Sequence, residues 1–453
     1  MNPSSFIRRF AGPALIALAL ITGASALAPP MAAAADYRPG VVIVGYSSAG
    51  TASLAGDGAS PTRVVQVPRG SSVGQEIARL RHEPGVAYAV PDYLAHLTGA
   101  AHPGWIPNDR GSSSVAQGWQ RMQWNFSSAT GVNAPKAWTN LLAVHRGGAR
   151  GVVVAVLDTG VAYRNWRQFR KSPDFAWTHF KSPYDFVANN RYPLDREGHG
   201  TFVTGVIAES TNNGVGLTGL AYNATIMPVR VLDANGWGDA STIAKGIRYA
   251  VEHGAQVINL SLEFDPSVTA GDIPDILSAI RFAHDRGVVV VGASGNEGET
   301  EIAYPARDSA AISVGATTLD RCLADYSNGG AHLDLVAPGG GNDASVTNDP
   351  RCHPDRNLPD VYQMTFADPS HPARFSFPSG WYGTSMSAPE VSAAAAMVIA
   401  SGVIGRHPTP AQILDRLEGT AQSLGGPKPN DDYGYGLLDV GAATSKAVRS
   451  SLK

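Results

Sequence analysis

Short, uninterrupted apolar runs alternate with amphipathic segments over most of this chain. Val152-Val153-Val154-Ala155-Val156-Leu157 has strand length and stops at Asp158. Thr225 to Leu232, Gln256 to Leu262 and Gly287 to Val291 also read as strands. Around them, Phe202 to Ala208, Thr242 to Glu252 and Ile273 to Asp285 carry helical periodicity. Strands that are apolar on both faces, separated by helices, predict a doubly wound, mostly parallel α/β sheet with helices on both sides. Ligands bind outside the carboxyl ends of the strands in such sheets. Asp158 and Asn296 each follow a strand and fall at that edge. Glu390 to Ala400, rich in Ala, Val and Met, reads as a buried helix. Thr409-Pro410 opens a last amphipathic helix, with Pro suited to its first turn.

The pattern differs at the start of the chain. Over residues 36–97, Val41 to Val44, Val64 to Val67 and Gly85 to Val90 read as strands. Ser72 and Gln75 have capping-box spacing ahead of Ile77 and Leu80. This predicts a small α+β domain that is marginal alone. Residues 98–122, rich at first in Gly, Ser, Pro and Ala, read as an exposed linker and processing region. The sheet domain then occupies 123–447. Within it, Gly339 to Phe375 is polar and Pro-rich and reads as a surface insertion.

Composition narrows the function classes. The 453 residues carry a formal charge of −3 and no long basic run, which argues against nucleic acid as a partner. Residues 1–35 read as an export signal: Arg8-Arg9, an apolar stretch from Ala14 to Ile21, and small residues at Ala26, Ala28 and Ala33 to Ala35. That stretch is short for a membrane span. In an exported chain, Cys322 and Cys352 form an even pair expected to be bridged, with two free buried thiols as the alternative.

Four short segments carry chemistry. They are Asp158-Thr159-Gly160, Gly198-His199-Gly200-Thr201, Ala293-Ser294-Gly295-Asn296 and Gly383-Thr384-Ser385-Met386-Ser387-Ala388-Pro389. Each alone fits an ordinary turn or helix cap. Together they make the set that nucleophilic acyl transfer requires. A serine hydroxyl needs a base to take its proton. A histidine with an ordinary pKa of about 6.5 can act near neutral pH. A carboxylate fixes the imidazole tautomer. An amide donor faces the developing oxyanion.

The order Asp158, His199, Asn296, Ser385 resembles the subtilisin family of serine peptidases. The likeness extends to Val257-Ile258-Asn259-Leu260-Ser261-Leu262, Val336-Ala337-Pro338-Gly339 and Tyr435-Gly436. It implies Ser385 as nucleophile, His199 as general base and acid, Asp158 as its orienter, and Asn296 with the Ser385 N–H as oxyanion hole. It implies peptide-binding edges at Gly236-Trp237-Gly238 and Ser261-Leu262-Glu263, with pocket walls from Ala293-Ser294-Gly295. Glu263-Phe264 stands where the family commonly has glycines, so Glu263 is expected to narrow a pocket or add a negative rim. A structural calcium ion is implied at Gln123, Asp174 and Asn213 with the carbonyls of Thr211, Val215 and Leu217, although Asn212-Asn213-Gly214 equally fits a plain turn. Residues 36–97 resemble the family's inhibitory propeptide, acting on the chain's own cleft. The implied product is a secreted, self-processed, monomeric endopeptidase of peptides and proteins. A non-catalytic peptide-binding relative and an ester hydrolase are the rivals.

Overall fold

The computed structural model describes residues 37–46, 62–68, 70–93, 104–347 and 349–446. The expected export signal over 1–35 and the first part of the linker lie outside them. The chain divides into two compact units between Ala100 and Ala101.

In the first unit, β1 (Tyr37–Tyr46) and β2 (Thr62–Gln66) precede α1 (Val73–Leu80), and β3 (Val86–Tyr93) closes the sheet. The strands are antiparallel in the order β2-β1-β3. The predicted capping box forms: the Gln75 N–H donates to Ser72 Oγ at 3.2 Å and the Ser72 N–H donates to Gln75 Oε1 at 2.8 Å. Val42, Val44, Leu80 and Ala89 make a small core.

The second unit opens with α2 (Ala134–Ala143) and the central strand β4 (Val153–Asp158). The short β5 (His179–Phe180) and β6 (Tyr184–Asp185) precede α3 (His199–Ala208). Then strands and helices alternate: β7 (Thr225–Arg230), α4 (Ala240–Glu252), β8 (Val257–Leu260), α5 (Pro274–Asp285) and β9 (Val289–Ala293). They are followed by β10 (Ala311–Thr317), β11 (Leu335–Pro338) and a two-stranded ribbon of β12 (Thr365–Phe366) and β13 (Phe375–Ser376). The chain ends on α6 (Thr384–Ser401), α7 (Pro410–Thr420) and α8 (Val440–Ala443).

The predicted parallel sheet is present, in the order β11-β10-β9-β8-β4-β7-β5 with β6 also on β7. Strand alternation, with both faces packed, explains why its strands are largely apolar. Val154 and Val156 of β4 pack with Phe202, Val206, Val391 and Ala395 on the α3 and α6 side. Ala155 and Leu157 pack with Ile243, Ile247, Ile276 and Ile280 on the α4 and α5 side. Both faces are covered, so the few polar residues inside strands are paired: Asn259 with Ser261 and Ser392, and Ser313 with the His332 carbonyl and Asp334.

Two expectations need correction. The linker reading of 98–122 fails from Gly104 onward. The Trp105 ring packs 5.9 Å from Trp138 and 5.6 Å from Tyr222, Asp109 is buried, and Trp119 is 1% exposed. Isolated tryptophans anchor an irregular segment there without any periodicity. The surface reading of 339–375 fails in its second half. Val361, Gln363 and Thr365 are fully buried, and Thr365 Oγ1 donates to the Gly198 carbonyl at 2.6 Å. That segment buttresses the start of α3. The Cys322–Cys352 disulfide ties the first half down.

Candidate active site

Asp158 is the last residue of β4 and is fully buried. Its Oδ1 accepts from the Thr159 N–H at 2.7 Å and pairs with His199 Nδ1 at 2.8 Å. His199 is the first residue of α3, so the strand end and the helix start meet. Gly200 permits that approach: a Cβ there would lie 2.1 Å from the Gly160 carbonyl oxygen. Asp195 locks the joint. It accepts from Thr159 Oγ1 at 2.9 Å and from the Thr201 N–H at 2.9 Å. Burial opposes protonation of His199, but the Asp158 charge and hydrogen bond, with Glu197 and Asp195, outweigh it and push the imidazole up to about 9.

Ser385 is the second residue of α6. Its N–H belongs to the first turn, whose donors have no intrahelical partner. Pro389, four residues on, cannot donate to the Ser385 carbonyl. Ser261 Oγ takes that place, donating to the Ser385 carbonyl at 2.8 Å. The Ser385 hydroxyl in turn donates to the Ser261 carbonyl at 3.3 Å. The first turn of α6 is thereby stitched to the residue that follows β8. Ser385 makes no hydrogen bond to His199 among the described residues; both line one cavity of about 440 Å³. Gly383 precedes the helix at φ 140°, a conformation that favours glycine.

Asn296 follows β9. Its Oδ1 accepts from the Thr384 N–H at 2.8 Å and Thr384 Oγ1 at 3.1 Å, which fixes the amide orientation. Its Nδ2 donates to Glu263 Oε1 at 2.9 Å. Gly236, Trp237, Gly238, Ser261, Leu262 and Glu263 all line the same cavity as His199 and Ser385. Trp237 is 78% exposed at its rim. Ala293 and Ser294 do not line it; they are buried behind. Gly295 abuts the Glu263 carboxylate, for a Cβ there would lie 2.7 Å from Oε2. Sequence reasoning missed Asp195, Glu197 and Trp381. The Glu197 carboxylate accepts from the His199 N–H at 2.7 Å, and Trp381 stacks on Phe202 at 4.9 Å. Their only signal was proximity to the Gly198-His199 and Gly383 turns.

The residues expected to hold a cation separate into two groups. Gln123 is a correction. Its Oε1 accepts from the Thr218 N–H and hydroxyl at 2.9 and 3.0 Å, and its Nε2 donates to the Thr218 carbonyl at 2.8 Å. A buried amide meets its own needs on that backbone. Asp109, not expected from sequence, joins Asp174 instead. It accepts from the Asn212 and Asn213 N–H groups at 2.7 and 3.0 Å. Asp174 accepts from Asn213 Nδ2 at 3.2 Å and the Leu217 N–H at 2.8 Å. Burial pushes Asp109 up to about 6. Asp174 is also raised, by burial and by the Asp109 charge. Two buried carboxylates that repel each other suit a hard cation between them. Among the described residues no three acidic, imidazole or thiol side chains converge. The remaining ligands would be amide and carbonyl oxygens from the loop of Thr211, Asn213, Val215 and Leu217.

An acid, an imidazole and a serine gathered at the carboxyl edge of a parallel sheet define a serine hydrolase of the α/β class. Comparison with known proteins narrows this. Residues 149–436 match the profile of the subtilase family. The chain is 33% identical to a thermophilic serine proteinase of Bacillus sp. (strain AK1) over 358 residues, 79% of this chain and 73% of that protein. It is 36% identical to subtilisin BL of Lederbergia lenta, over 72% of this chain and 99% of the relative. Among solved structures, a protease of Pseudoalteromonas arctica superposes with a TM-score of 0.59 at 30% identity, covering 75% of this chain and 99% of that one. The chain belongs to the subtilase family of serine endopeptidases.

Proposed function

We propose that the chain is exported as a precursor and matures into a peptidase that cleaves through an acyl-enzyme on Ser385. The Ser385 hydroxyl would rotate from the Ser261 carbonyl toward His199 Nε2 as substrate enters, then attack the scissile carbonyl. His199 takes the proton and returns it to the leaving amine. Asp158 holds the proton of Nδ1 and the charge of the imidazolium. Asn296 Nδ2 and the Ser385 N–H receive the oxyanion. Water then releases the acid by the same proton route. The single observation that supports this most is the 2.8 Å pair of His199 Nδ1 with Asp158, because it leaves Nε2 as the free base. Residues 37–93 belong to a compact unit of their own, which supports the propeptide reading.

The pH profile tests the base. His199 must be neutral to accept a proton, and its surroundings push it up to about 9. Activity is therefore lost as pH falls through that value. The expected profile of kcat/KM rises about tenfold per unit from about pH 6 and levels off only near about pH 9. A flat profile from about pH 5 to about pH 8 contradicts a histidine base.

We also infer a structural calcium ion held by Asp109 and Asp174 with loop oxygens. It would neutralise the two buried charges and fasten the segment around Asp109 to the loop after α3. Chelation is expected to lower the Tm of the inactive Ser385→Ala protein by several degrees. Asp109→Asn is expected to reduce the calcium response, while Gln123→Ala retains it. An equal Tm with calcium and with chelator contradicts the site.

A further inference from the structure

Glu263, three residues past β8, reaches Asn296 in the turn after β9. Oε1 accepts from Asn296 Nδ2 at 2.9 Å and Oε2 from the Asn296 N–H at 3.1 Å. The same N–H reaches Glu297 Oε2 at 3.1 Å, so two carboxylates share one donor. Neither has a Lys, Arg or His partner among the described residues. The cavity beside Ser385 also presents Glu197 and Asp265, and His199 is the one basic side chain in its lining. Burial and the Glu297 charge hold Glu263 above the ordinary carboxylate range.

The amide that would receive a negative oxygen is thus held by a negative side chain. Turnover requires it back. An incoming cation that pairs with Glu263 makes the release easier, whereas an apolar side chain does not and an acidic one opposes it. We propose that Glu263 is the specificity residue of this cleft: at rest it holds the Asn296 amide, and a lysine or arginine immediately N-terminal to the scissile bond draws the carboxylate away and frees that amide. This rests on the reading of Asn296 as an oxyanion donor. Because the freed amide acts in the transition state, the preference falls on kcat as well as KM.

The test uses the full mature enzyme, its active sites counted with a serine-directed phosphonate. Matched peptide p-nitroanilides differ only in their last residue, Lys, Leu or Glu. The wild type is expected to favour Lys over Leu by about 30-fold or more in kcat/KM, with Glu poorest. Glu263→Gln and Glu263→Gly are both expected to bring the Lys:Leu ratio near unity. Glu263→Gly is expected to raise kcat on the Leu substrate, since Asn296 is then free. An unchanged ratio in the variants, or a wild type that favours Leu, overturns the inference. If the phosphonate labels Ser385 and charge preference is absent, only this inference falls; if it fails to label Ser385, the underlying reading falls with it.

Discussion

Ser385→Ala is expected to reduce kcat/KM by about 10⁶-fold while leaving the fold intact. Loss of the nucleophile costs about that much in subtilisin. The fold survives because the Ser385 hydroxyl makes one bond, to the Ser261 carbonyl. The carbonyl of the same residue keeps its partner, Ser261 Oγ, whatever the side chain. Thr384 and Asn296 also remain paired through a backbone N–H. Circular dichroism and Tm should match the wild type. The same variant tests maturation. The purified precursor is expected to keep its N-terminal segment indefinitely, and trace wild-type enzyme should remove it. Removal at the wild-type rate by the pure variant contradicts self-processing.

Asp158→Asn is expected to lower kcat by about 10⁴-fold, with KM little changed. Two placements of the new amide are open, and both fail. If its oxygen stays on His199 and the Thr159 N–H, its NH2 occupies the Oδ2 position, which has no hydrogen-bond partner among the described residues. A buried orphan donor there costs about 1–3 kcal/mol. If the amide turns over, its NH2 meets both the Thr159 N–H and the imidazole. Nδ1 must then accept, so Nε2 carries the proton and cannot take the one from Ser385. Either way, the pull on His199 from the Asp158 charge disappears. The acid limb of the residual activity should move down from about 9. A residual limb unmoved from the wild type would exclude Asp158 as the partner of the base.

Much of this was legible in the sequence, for identifiable reasons. Strand β4 stands out because both its faces are buried, so no polar residue interrupts it before Asp158. The Ser72 capping box is legible because its partners are three residues apart. Strand β10 was missed because Ser313 and Gly315 interrupt its apolar run, although every residue in it is buried. Asp195 is invisible because its partners lie on the end of β4 and the first turn of α3, which only folding brings together. Asp109 sits in a segment whose Gly and Ser content resembles a linker; the anchors are two tryptophans without periodicity. The resemblance placed Gln123 at the cation loop by chain order, but its amide binds Thr218. Glu263 stood out as a departure from the family pattern. Its grip on Asn296 is a property of side-chain placement that no spacing could supply.

Activation of Ser385 by His199 is the step on which all the chemistry turns. Intact-mass analysis and peptide mapping after treatment with a fluorophosphonate address this directly. One adduct per chain, on Ser385, is predicted for the wild type at about pH 9, with labelling slowed by orders of magnitude in His199→Ala. Labelling of Ser385 at equal rates in both proteins, or an adduct on another residue, would contradict it.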